Sequence, residues 1–131
     1  MVEEDKSMKE AILLLGHGSR REEANQVILD ICELVKEKYG DGLYEVGYLS
    51  FGEPNLAEAV ENLIAAGAQK IIVVPIFLVT GNHIKRDIPS RLLLQKTTHP
   101  EVQFVLAGHI GADPRMADII MDRAKNASEL I

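Results

Sequence analysis

Short apolar runs alternate with helical stripes along this chain, and that alternation leaves few folds open. Residues 11–15 form a continuous apolar run ending at Gly16. Such a run suits a strand buried on both faces. Residues 20–39 carry Ala24, Val27, Ile28, Ile31, Leu34 and Val35 at gaps of three and four, one stripe of a helix stopped by Gly40. Residues 43–50 have β character. Residues 56–66 set Leu56, Val60, Leu63 and Ile64 on one helical face, with Gly67 just beyond the end. The strongest strand signal covers 70–79, with Pro75 as an irregularity. The pattern then predicts a short helix over 87–95, a strand over 102–107, and a last helix running through Ala127. Asp113 is its expected N-cap and Pro114 its first turn.

Strands alternating with helices imply a parallel sheet with right-handed crossovers. The expectation is an α/β fold: a single-lobe, four-stranded parallel sheet with helices on both faces and flavodoxin-like strand order 2-1-3-4. Sites in such sheets form beyond the carboxyl ends of the strands, where the strand order switches. That point lies between strands one and three. The 131 residues suit one domain, expected over 11–131, with 1–10 as a flexible lead-in. No apolar run approaches the roughly 20 residues of a membrane span. The single cysteine, Cys32, has no internal partner, which fits a reducing cytoplasm, and its place on the first helix makes it packing. A net charge of −6 argues against a nucleic-acid partner.

Two of the four histidines fall on the predicted site edge. His17 sits in Gly16-His17-Gly18-Ser19, directly after strand one; His83 sits in Gly81-Asn82-His83, just after strand three. Neighbouring strands lie about 4.8 Å apart. Two imidazoles there can share one ion at nitrogen–metal bonds of about 2.0–2.1 Å. Neutral imidazole suits divalent cobalt, nickel, iron and zinc. Two ligands leave several positions open, which is poor for storage and suited to handing a metal on. A side chain with pKa near 6.5 also takes a proton at neutral pH. The blander alternative is that each histidine caps a loop. Gly16 and Gly18 also fit a phosphate cradle at a helix start, although neither a Walker loop nor a dinucleotide fingerprint is present. His99, before Pro100, is expected in a surface turn. His109 follows strand four at the same edge and is an outside candidate for substrate contact.

The segment Leu15-Gly16-His17-Gly18-Ser19-Arg20 resembles the opening motif of the sirohydrochlorin chelatase family, short CbiX type. The segment from Val74 to Ile84, followed by Asp87-Ile88-Pro89, resembles the family's second motif. Tyr48-Leu49-Ser50-Phe51-Gly52-Glu53-Pro54 is similar to its middle segment, and Ile110-Gly111-Ala112-Asp113-Pro114 to its last. The resemblance implies a homodimer of single lobes, with His17 and His83 as metal-binding and catalytic residues. It also implies insertion of a divalent metal into sirohydrochlorin: cobalt first, for cobalamin-type biosynthesis, with nickel or iron as alternatives. The metal is a substrate, and no organic cofactor is implied. Many relatives carry Glu where this chain has Ser50. Glu53 is a distinct position, read as a helix-start acid, although help from Glu53 or a partner subunit stays open.

An octacarboxylate macrocycle calls for cations at the cleft mouth. Arg20 and Arg21 follow the first motif; Lys85, Arg86 and Arg91 follow the second. Ser19, Thr80, Gly81 and Asn82 are candidates for binding substrate or orienting a histidine. Two rivals remain: a non-catalytic metal or tetrapyrrole carrier, and a phosphoryl-transfer enzyme with His17 as nucleophile.

Overall fold

The structure is a computed structural model and describes residues 8–131. Positions 1–7 of the expected lead-in lie outside the described residues, and Glu10 already belongs to the first strand. Four parallel strands form one sheet: β1 (Glu10–Gly16), β2 (Leu43–Tyr48), β3 (Lys70–Pro75) and β4 (Gln103–Leu106). Their order is β2-β1-β3-β4, the flavodoxin-like order expected. The helices are α1 (Glu22–Tyr39), α2 (Leu56–Ala65), α3 (Asn82–Thr98) and α4 (Arg115–Lys125).

Period-two alternation divides the core between the faces. Leu13, Leu15, Ile71 and Val73 pack under Val60 and Leu63 of α2 and Ile88 and Leu92 of α3. Leu14, Val46 and Tyr48 pack under Ile28, Ile31 and Cys32 of α1. Each large side chain taken fully out of water contributes roughly 1.5–3 kcal/mol. β1 therefore reads as an unbroken apolar run because both of its faces are covered. Burial raises the Cys32 thiol pKa above its ordinary value, outweighing the pull of Lys36. Cys32 is thus expected to resist thiol reagents in the native protein and to react at once in denaturant. Fast native labelling, followed with a chromogenic disulfide, would place it elsewhere.

Several boundaries differ from the sequence pattern, among them that of β2, which ends at Tyr48 and not at residue 50. β3 ends at Pro75, not at residue 79, because proline has no N–H for the ladder. The apolar residues that follow form a loop with Leu78 and Val79 exposed. α3 starts at Asn82, not at 87, so Pro89 lies inside the helix. Proline there resembles a first-turn signal, but Ile84, packed against the core, holds the preceding turn in helix. α2 is capped by Asn55 and Glu58, whose side chains and backbone N–H groups bond reciprocally at 2.8 and 2.9 Å. Glu53 is therefore not the helix-start acid. At α4 the N-cap position is Pro114, one residue later than expected, while the Asp113 carboxylate accepts from the Arg115 N–H at 2.9 Å.

Two apolar sets lie outside the core. In α1, Val27 and Leu34 of the predicted stripe are exposed. In α4 no residue is buried.

Candidate functional site

The loops after all four strands gather at the carboxyl edge of the sheet. Chain beyond β2 pins the chain beyond β1: the Leu49 N–H donates to Gly16 O at 3.0 Å and the Ser50 N–H to His17 O at 3.2 Å. Asn25, in the first turn of α1, fastens the same two loops. Its Oδ1 accepts from the Ser19 N–H, and its Nδ2 donates to Ser19 O and Phe51 O at 2.9 and 3.0 Å. The His17 backbone is thereby fixed while its side chain stays exposed. The imidazole leans on Phe77 from the β3–α3 loop, with ring centres 5.9 Å apart at 60°. Phe77 O in turn accepts from the Gly111 N–H of the β4–α4 loop at 3.1 Å. Three loops thus converge on the one that carries His17.

His83 occupies the second position of α3 and is exposed. With Asn82, Arg86, Asp87 and Ser90 it lines a cavity of about 540 Å³. The helix start above it has no side-chain cap and no acidic residue in its first turn. Its free N–H groups and dipole favour an anion there. A second cavity, of about 620 Å³, opens between the loops after β1 and β2. Ser19, Arg20, Phe51 and Glu53 line part of it. Arg20 lies over the Phe51 ring, its guanidinium carbon 4.6 Å from the centroid.

The predicted residues therefore split. Ser19 and Arg20 line one cavity; Asn82, His83 and Arg86 line the other; Thr80 and Gly81 lie on the loop leading into α3. Among the described residues no three His, Cys, Asp or Glu side chains form a metal cage. Of the five candidate cations, two are engaged. Arg21 pairs with Glu23 at 2.7 Å. Arg91 pairs with Asp87 at 2.9 Å and donates to Leu49 O at 2.9 Å. Among the described residues Arg20, Lys85 and Arg86 form no ion pair, which leaves three for a ligand. His99 is not a free surface residue: it caps α3, and its Nε2 lies 2.6 Å from Glu61. His109 is exposed on the β4–α4 loop.

Sequence reasoning missed the apolar rim. Phe51, Leu78, Val79 and Ile110 are exposed on three of the converging loops. Phe51 also has φ of 52°, a left-handed value that is uncommon without glycine. The available signal was the run of apolar residues continuing past Pro75.

Residues 11–127 match the CbiX family model. A sirohydrochlorin cobaltochelatase of Methanococcus aeolicus is 38% identical, over 88% of this chain and 98% of its own. A sirohydrochlorin cobaltochelatase of Methanopyrus kandleri is 38% identical over 89% and 96%. The crystal structure of the sirohydrochlorin chelatase SirB from Bacillus subtilis, in complex with cobalt, superposes with a TM-score of 0.82 at 32% identity. That match covers 91% of this chain but only 51% of SirB.

Proposed function

The chain belongs to the CbiX family, and on that footing we propose that it is a chelatase inserting a divalent metal into sirohydrochlorin. One observation carries this proposal. His17 and His83 follow β1 and β3, hydrogen-bonded neighbours in the sheet, and both lie at its carboxyl edge.

In this proposal cobalt is the first metal substrate, in line with the names of the relatives, and nickel and iron are the alternatives. His17 and His83 hold the ion through neutral imidazoles. The macrocycle lies across the apolar rim of Phe51, Leu78, Val79 and Ile110. Its carboxylates meet Arg20, Arg86 and Lys85, with Ser19, Thr80, Gly81 and Asn82 as hydrogen-bond partners. As the metal enters, two pyrrole N–H protons leave: a histidine released from the ion accepts one of them, and solvent water carries off the other. The working form is a cytoplasmic homodimer. The family's short members and the unpaired Cys32 thiol support that assignment.

Mixing enzyme with excess sirohydrochlorin and Co²⁺, Ni²⁺ or Fe²⁺ separates the readings through the absorption bands. Repeated turnover supports a chelatase and ranks the metals. A single stoichiometric shift would make the protein a carrier and overturn catalysis.

Position 50 supplies an independent test. The Ser50 N–H is bonded to the carbonyl of His17, so a longer acid there starts from beside the proposed ion. Ser50→Glu is expected to tighten Co²⁺ binding by roughly 10–100-fold, the range over which partners of a metal site act. Calorimetric titration checks this, and unchanged affinity would place the ion away from this loop.

A further inference from the structure

Among the described residues, the sheet face beneath α1 is covered over only half its width. Ile72 lies between Ile12 and Val105, and Val74 lies beside Leu14, so all five share that face. Ile12 and Leu14 belong to the α1 cluster, whereas Ile72 and Val74 stay only partly buried in an inner strand and Val105 is 40% exposed. Inner strands of parallel sheets are normally covered on both sides. One flank of α1 borders this open floor. Asn25 faces the β2 side, since its side chain reaches Phe51 O. Leu34, nine residues on, points the opposite way at about 100° per residue, and Val27 lies close to the same line. Both are exposed. The floor therefore has an apolar wall.

The same chain holds an amphipathic helix whose apolar side chains are unmated among the described residues. Ile119, Ile120 and Met121 of α4 are 46%, 64% and 54% exposed. The helix is about 16 Å long, close to the roughly 20 Å of β3. We propose that α4 is an exchanged arm: in a pair of copies, each α4 lies across the open β3–β4 floor of the other, against Val27 and Leu34. A second copy is the occupant because arm and floor come in equal number on one chain and, among the described residues, are not mated within it. A two-fold axis then satisfies both at once. SirB adds a second argument, since its chain is about twice as long as the part this chain matches. The exchange covers on the order of 600 Å² of apolar side chain per copy, comparable with the roughly 800 Å² per partner of stable interfaces. This rests on the homodimer proposed above and specifies its contact.

Sedimentation velocity tests it with three samples. The unchanged protein is expected to be a dimer at micromolar concentration. Ile120→Asp and Val105→Lys each set a charge into the contact and are expected to weaken dimerisation by about 100-fold or more. Both side chains are exposed within one copy, so the far-UV circular dichroism of each variant should be unchanged. Mixing the two variants pairs the new Asp with the new Lys at one of the two contacts, and dimer should return. An unchanged protein that is monomeric would remove the homodimer and the exchange together. A dimer that persists in Ile120→Asp would leave the homodimer standing and overturn the exchange. Two monomeric variants whose mixture stays monomeric would overturn the α4–β4 contact.

Discussion

His17→Ala and His83→Ala are each expected to slow cobalt insertion by roughly 10²–10⁴-fold, the range for losing a positioned acid–base group. Melting temperatures should change little, because both side chains are exposed. The double variant carries the sharper information. If both imidazoles serve one ion, removing the second costs little once the first is gone, as for residues that act as a unit. The double variant should then be no slower than the worse single variant by more than a few-fold. Multiplying effects would mean that the two histidines act at separate steps, for instance one on the metal and one on a proton. Calorimetric titration with Co²⁺ separates these cases, since loss of a ligand weakens the ion and loss of a proton acceptor does not. Full turnover in both single variants would remove the site assignment.

The placement of those two histidines at one sheet edge was legible because it depends on topology alone. The apolar runs fix which segments are strands, the alternation fixes them as parallel, and the order β2-β1-β3-β4 makes His17 and His83 neighbours at one edge. What was not legible depends on how the elements pack. Pro89 resembles a helix start, yet packing of Ile84 and Ile88 carries α3 back to Asn82. The α1 stripe spans a wide arc, and spacing does not say which half meets the sheet; Ile28 and Cys32 do, Val27 and Leu34 do not. The same holds for the arginines. Charge and position made Arg91 a substrate cation, but its fork is filled by Asp87 and Leu49 O. Arg20 had the same sequence credentials and lies over an aromatic ring at a cavity edge.

Glycines of the two motifs look alike in sequence, and the structure gives them opposite standing. Gly18→Ala is expected to destabilise the protein by about 2–5 kcal/mol. Gly18 holds φ of 93°, and a Cβ there would run into Ser50 O. A left-handed backbone with a side chain costs roughly 1–2 kcal/mol, and forcing an extra carbon into packed surroundings adds roughly 1–3 kcal/mol. The overlap is with backbone, so no rotamer change relieves it. Relief requires parting the loops after β1 and β2 and breaking the Ser50–His17 bond that fixes the site. Gly81 is the control: its φ is −75° and a Cβ would meet nothing within 4 Å. Gly81→Ala should leave stability within about 0.5 kcal/mol. Thermal melts decide the matter, at roughly 4 °C per kcal/mol for a domain of this size. Gly18→Ala should melt about 10 °C or more below the unchanged protein, and its insertion rate should fall with the displaced His17. A Gly18→Ala variant as stable as Gly81→Ala would mean that the two loops do not meet at Ser50, and the site would then have no fixed frame for its first histidine.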